Sequence, residues 1–364
     1  MKMLVIGAGA VGRGFVAPLL AAHSVAVDFV DTNPALLAAF SRRKSYLTAV
    51  AGPRGHVLTR VRYGRASSPE ALTDVGQYDA LFISTGPRQF LTCAPLLREA
   101  RAVFVLENLR TAAVQLRAAT GNARIWFGIP DVIVSSTAPP GLLARDPLCL
   151  VAEPGDLILE QGSDPLGLDT SVIWANPSEL ERHWACKLFI HNASHAVAAF
   201  LGTLAGHRLI HEAIIDPRIG AVVDNAIRSV THAVIAHGMA DEPFATSYME
   251  RELQRFRNPL LHDPISRVAR DPLRKLGADD RLMQALKLVI AAGQDAYSIM
   301  TGIAAGLLCH AQTEGRPFGA GRRDEITLRK ICGLSDGSLI RAILDCAEYL
   351  QRDFRAPVRA SAAG

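Results

Sequence analysis

The chain has 364 residues, of which 49% are apolar, 20% charged and 6% aromatic. That composition excludes intrinsic disorder and low-complexity architecture, and the length fits two domains better than one or four. The 39 basic and 35 acidic residues leave a formal charge of +4 spread over the whole length. No basic block is longer than Arg42-Arg43-Lys44, so nucleic-acid binding is not expected.

The opening run from Met1 reaches a glycine-rich turn at Gly7, too soon for a signal peptide or a membrane span, so no membrane association is expected. Six scattered cysteines (Cys93, Cys149, Cys186, Cys309, Cys332, Cys346), without a C-x-x-C, read as reduced thiols of a cytoplasmic protein. The first half alternates β-branched runs with helical segments, the pattern of parallel strands joined by helical crossovers. Strands are predicted over Met3–Ile6, Ala26–Val30, Ala80–Ser84, Ala102–Leu106 and Arg124–Ile129. Helices are predicted over Gly12–Ala22, Pro34–Phe40, Gln89–Glu99 and Leu109–Ala118. Residues 45–63 read as an inserted hairpin, and Leu148–Leu159 is rich in strand formers.

From about Glu179 the period changes to 3.6. His183–Leu204, Ile219–His237, Ala245–Phe256, Asp280–His310 and Ser338–Asp353 read as helices, residues 286–309 as a buried core helix. Asn176-Pro177 would cap the first of them. The expected architecture is an α/β Rossmann-type doubly wound sheet over 1–178, an all-α domain over 179–355 and a flexible tail over 356–364.

Gly7-Ala8-Gly9-Ala10-Val11-Gly12 satisfies G-x-G-x-x-G between a predicted strand and a predicted helix. Asp31 lies 19 residues after Gly12, at the end of the next strand, where a carboxylate can accept from both ribose hydroxyls. Gly7 permits the tight turn, Gly9 lets backbone approach a pyrophosphate, Gly12 lets the helix pack on the sheet, and the helix N-terminus supplies N–H groups. A carboxylate there repels a 2′-phosphate, so NAD is favoured over NADP, a preference that nearby Arg42-Arg43-Lys44 tempers.

The helical half opens with Lys187-Leu188-Phe189-Ile190-His191-Asn192-Ala193-Ser194-His195. On a helix, Lys187, Asn192 and His195 share a broad sector within reach of one small substrate. A desolvated lysine there is a competent general base for an alcohol, with Asn192 and His195 holding the oxygen; a lysine snorkelling from a core helix fits the same spacing. His191 and His195 have the spacing of a zinc pair, but Asn192 stands where H-E-x-x-H needs its glutamate, so no metal is expected. Further on, Arg255, Arg257, Arg267, Arg270, Arg274 and Lys275 gather around Asn258-Pro259 and Asp271-Pro272. They suit an anionic group such as phosphate, with Arg257, Asn258, Arg267, Arg274 and Lys275 as substrate contacts, and equally suit ion pairs with Asp263, Asp271, Asp279 and Asp280.

These strings, with G-A-G-A-V-G-R-G-F, Glu107-Asn108, L-G-T-L-A-G-H, R-F-R-N-P and D-P-L-R-K-L, resemble the polyol-specific long-chain dehydrogenases, the mannitol dehydrogenase family, and within it the members acting on mannitol 1-phosphate. The resemblance implies a metal-independent NAD enzyme with Lys187 as catalytic base and Asn192, His195 and Asn108 around the reacting carbon. The P-L-R-K-L string implies phosphate contacts for Arg274 and Lys275. Val134-Ser135-Ser136-Thr137 departs from the family's V-D-R-I, removing an acidic and a basic substrate contact, and Ala185-Cys186 replaces a glutamate before the lysine. The expected activity is interconversion of a secondary alcohol and a ketone on a polyol or sugar phosphate, by default mannitol 1-phosphate and fructose 6-phosphate, in a monomer or homodimer. Two alternatives stand beside it: a dehydrogenase of the same fold acting on another small hydroxy or phosphonate compound, and an NAD-binding regulatory protein with degraded catalysis.

Overall fold

The computed structural model describes residues 1–72, 74–161, 172–318 and 322–354. The expected tail over 356–364 lies outside the described residues. The chain divides into two compact units, one formed by Met1–Trp184 with Leu260–His262, the other by Ala185–Pro259 with the residues from Asp263 on. The break thus falls at Trp184/Ala185 rather than at 178/179, and a three-residue segment of the helical half joins the first unit.

The first unit is built on strands β1 (Lys2–Ile6), β2 (Ala26–Val30), β3 (Ser45–Gly52), β4 (Gly55–Arg62), β5 (Ala66–Ser67), β6 (Ala80–Ile83), β7 (Val103–Val105), β8 (Ile125–Asp131), β9 (Leu150–Ala152), β10 (Asp156–Glu160) and β11 (Val172–Ala175). Among the described residues an eight-stranded sheet runs in the order β11-β10-β8-β7-β6-β1-β2-β5, parallel except where β10 meets β8. Along β1 the side chains alternate faces: Met3 and Val5 join one apolar cluster, Leu4 and Ile6 the other. All four are at most 3% exposed. A strand covered on both faces reads as an unbroken apolar run, and for that reason the parallel strands stand out in the sequence. The inserted hairpin is β3–β4, which pairs with β9 in a separate three-stranded sheet.

The second unit is helical. Asn176 Oδ1 accepts from the Glu179 N–H while Glu179 Oε2 accepts from the Asn176 N–H, a reciprocal cap within the first unit that starts the run Pro177–Ala205, which belongs to the second unit from Ala185 on. That run is long and apolar enough to cross a membrane, yet 78% of its most apolar window is buried, so it serves as a core helix. Helices Pro217–Ala236, Glu242–Arg257 and Gly337–Asp353 follow the predicted ones closely. The predicted helix Asp280–His310 is instead two, Arg281–Ala291 and Tyr297–Thr313. Gly293 takes φ +65° and ends the first, and Asp295 accepts from the Tyr297 N–H to open the second. Gly302 is required where that second helix meets the core helix, since a Cβ there would lie 2.4 Å from Val197 Cγ2.

Candidate active site

In the first unit the chain leaves β1 at Gly7, whose φ of +94° and a position for Cβ only 2.5 Å from the Ser84 carbonyl oxygen exclude any side chain. A Cβ on Gly12 would meet the Gly7 carbonyl oxygen at 2.1 Å. Gly9 differs, because nothing lies within 4 Å of its Cβ position. Two glycines therefore shape the turn and the third leaves an open cradle beside Ala10 and Val11, at the start of the helical run Gly12–Ala22. Asp31 closes the loop: Oδ2 accepts from the Ala8 N–H at 2.8 Å and Oδ1 from the Asn33 N–H at 2.8 Å. Each oxygen keeps acceptor capacity for ribose hydroxyls. An open glycine cradle, helix-start N–H groups and a carboxylate beside them fit a dinucleotide.

At the neighbouring strand ends, Glu107 is 4% exposed and accepts from the Gly86 N–H at 2.8 Å. Burial pushes its carboxyl up to about 7, against the pull of the Gly86 and Thr85 N–H groups. Gly86 has φ +100°, so the carboxylate holds a left-handed turn next to the exposed Asn108. In the sequence Glu107 stands out only as the neighbour of Asn108. Nothing local marks it, because the partner that gives it a role lies 21 residues away.

In the second unit, residues Cys186–Ala193 form a π-helix within the core run. Five residues span roughly 140° on an α-helix, but only about 50° on a π-helix with its wider turn, so Asn192 comes onto the face of Lys187. Lys187, His191, Asn192 and His195 are all between 5% and 7% exposed. The Asn192 Nδ2 is buried with no hydrogen-bond partner, as is Ser194 Oγ. A buried amide without a partner costs free energy and survives where a ligand is to meet it.

Both histidines are held by carboxylates from elsewhere in the unit. His195 Nε2 lies 3.0 Å from Asp263 Oδ2, whose other oxygen takes two bonds from Arg267. Burial brings the His195 imidazole down to about 4, more than its aspartate partner raises it, so the ring is neutral near pH 7. Burial would raise Asp263, but Arg267 and His195 hold it down at about 2. His191 Nδ1 lies 2.5 Å from Oε2 of Glu252, which is fully buried. The rings stand 5.0 Å apart, both against Phe256. Each uses a ring nitrogen on a carboxylate, and among the described residues no three His, Cys, Asp or Glu gather as a metal site.

The basic string is largely matched by acids. Arg257 meets Asp224 at 3.0 Å, Arg267 meets Asp263, and Arg274 meets Asp271 at 3.4 Å and Asp280 at 3.0 Å. Asn258 ends the helix Glu242–Arg257, its N–H bonded to the Arg255 carbonyl. Lys275, expected to face an anion, is 5% exposed and donates to the carbonyls of Val268 and Arg270. Burial and the neighbouring Arg281, Arg274 and Arg267 bring it down to about 7. It caps backbone rather than presenting a charge. Ser135 has a comparable duty in the first unit, donating to the His262 carbonyl at 2.8 Å and so tying in the Leu260–His262 segment, while His56 Nε2 meets the Leu260 carbonyl at 2.7 Å.

A doubly wound sheet with a glycine cradle, followed by a helical unit with a buried lysine–asparagine–histidine face, defines a two-domain oxidoreductase of the α/β-plus-helical class. Residues 1–112 match the family model of the mannitol dehydrogenase Rossmann domain and residues 179–322 that of the mannitol dehydrogenase C-terminal domain. The two models of one family take up well over half of the chain, which therefore belongs to the mannitol dehydrogenase family.

Among solved structures, the chain is similar to the Pseudomonas fluorescens mannitol 2-dehydrogenase ternary complex with NAD and D-mannitol, at 14% identity over 98% of this chain and 95% of that one, TM-score 0.79. It is also similar to a D-sorbitol dehydrogenase in substrate-free form, at 16% identity over 97% and 93%, TM-score 0.71. A ketopantoate reductase from Ralstonia eutropha JMP134 follows at 17% identity over 86% and 100%, TM-score 0.57. At such identities the likeness is one of fold.

Proposed function

We propose that the chain is an NAD-dependent oxidoreductase that interconverts a secondary alcohol and a ketone on a polyol. The observation that carries this reading is the π turn, which brings Asn192 onto the buried face of Lys187 with the Asn192 amide unbonded, His195 following on the next helical turn. NAD, when bound, supplies the hydride acceptor, with Gly7, Gly9, Ala10, Val11, Gly12 and Asp31 as its binding residues. Lys187 takes the proton from the substrate hydroxyl, and the Asn192 amide donates to the oxygen as charge develops there. Asn108 is the second carboxamide assigned to that oxygen. His195, neutral and fixed by Asp263, orients the hydroxyl.

An uncharged polyol is favoured, because Arg257, Arg267 and Arg274 already face aspartates and Lys275 caps carbonyls. The phosphorylated pair, mannitol 1-phosphate and fructose 6-phosphate, keeps one observation in its favour: Arg270 in the D-P-L-R-K-L neighbourhood is exposed with no ion-pair partner among the described residues. The test is NAD reduction by purified protein with mannitol, sorbitol and mannitol 1-phosphate side by side. Turnover is expected with a polyol, and Lys187→Ala should lower kcat by about 10²–10⁴-fold with NAD affinity retained. Tight NAD binding without turnover on any of them would overturn the reading and favour a regulatory dinucleotide-binding protein.

A further inference from the structure

Two imidazoles stand side by side, His191 on the π turn and His195 just beyond it in the α-helical continuation, and the proposed reaction uses only the second. His191, 7% exposed, is held through Nδ1 by Glu252. The other oxygen of Glu252 takes a 2.6 Å bond from Arg255 Nη1, and Arg251 Nε lies 3.6 Å away. A carboxylate between two guanidinium groups stays an anion, and an anion can only accept. His191 Nδ1 is therefore the donor of that bond, and in the neutral ring the lone pair falls on Nε2. No hydrogen-bond partner meets Nε2 among the described residues. His195 repeats the construction in mirror form, Nε2 to Asp263 and Nδ1 left over.

We propose that His191, oriented by Glu252, is a specificity-determining residue whose Nε2 accepts a hydrogen bond from a substrate hydroxyl other than the one oxidised. The inference rests on the polyol reading above. Its position supports it: on the π turn His191 lies about 30° to one side of Lys187 and Asn192 about 50° to the other, so all three border one patch. Its chemistry selects a class of substrate, since a lone pair on nitrogen matches an alcohol O–H and mismatches a phosphate oxygen that carries no proton. Two carboxylate-held imidazoles 5.0 Å apart thus read two hydroxyls of a chain that has many.

The test separates the two ends of the ring. In His191→Asn the shorter amide takes the place of Nδ1, keeping Glu252 satisfied and removing the reader; in His191→Gln the amide reaches the place of Nε2 and restores it. Steady-state kinetics and calorimetric polyol binding in the presence of NAD are measured for both, with a panel of monodeoxy polyols. His191→Asn is expected to keep its melting temperature and NAD affinity and to lose about 10–100-fold in polyol affinity, the loss vanishing for the one deoxy compound that lacks the read hydroxyl. His191→Gln should recover much of it. Unchanged polyol affinity in His191→Asn, or a loss equal for every deoxy compound, would overturn the proposal while leaving the dehydrogenase reading in place. A wild-type protein that neither binds nor oxidises any polyol would overturn both.

Discussion

Glycines of one motif do different work, and their surroundings tell them apart. Gly12 has backbone 2.1 Å from where a Cβ would sit, whereas Gly9 has nothing within 4 Å. Gly12→Ala must displace the Gly7 carbonyl, and an unfolding midpoint about 4–8 °C lower is expected from roughly 2 kcal/mol of strain. Gly9→Ala should leave the midpoint unchanged and weaken NAD at least about tenfold, because its methyl fills the space where backbone and pyrophosphate would approach. Thermal melts and NAD titration of the two variants check this pair. Equal melts would show that the loop yields around a Gly12 methyl without strain, and equal NAD affinity that the cradle is not where the dinucleotide binds. The motif itself was plain in the sequence; which glycine serves folding and which serves ligand was not, since that depends on Ser84 and Val5 folding back against the loop.

At the scale of elements, what could be read was what repeats locally. The strand runs, the hairpin over 45–63 and most helices follow from period and caps. The division of Asp280–His310 at Gly293 was missed because apolar residues continue on both sides of it. The π turn was missed too, since a five-residue spacing carries no mark of the wider turn that brings its ends together. Glu252 and Asp263, 61 and 68 residues from the histidines they hold, are equally invisible in sequence. A π turn is an α-helix with one residue too many. Deleting Leu188, the least buried of its residues, should let the run close as α-helix with Lys187 and Asn192 four apart and still on one face. Deleting Ala198, fully buried in regular helix, rotates everything beyond it by about 100° and should unfold the unit. Circular dichroism melts distinguish the outcomes: a cooperative melt within a few degrees of wild type is expected for the first deletion and none for the second. Loss of the cooperative melt in the Leu188 deletion would mean the π geometry is demanded by packing rather than carried as an insertion.

For the molecule as a whole, one buried group in each unit is set to respond to acid in the opposite sense to the other. In the first, burial raises Glu107 from 4.5 to about 7, so the folded form holds its proton more tightly than the unfolded chain does. The stability it contributes is complete below about 4.5 and is lost as pH rises through about 7, by up to about 3 kcal/mol. In the second, burial lowers His195 from 6.5 to about 4, so the unfolded chain takes up its proton first on acidification. That contribution is complete above about 6.5 and is lost as pH falls toward about 4. Asp263, at about 2, stays ionised throughout this window and adds no opposing slope. The tryptophans separate the signals, since all three, Trp126, Trp174 and Trp184, belong to the first unit, while helical ellipticity is dominated by the second. Between pH 7 and pH 4.5 the urea midpoint read by tryptophan emission is expected to rise and that read by far-ultraviolet ellipticity to fall. Glu107→Gln, which keeps an acceptor for Gly86 without a titrating proton, should flatten the first trend and leave the second. Midpoints that move together in the wild type would mean that the units unfold as one and that the two proton linkages largely cancel across the chain.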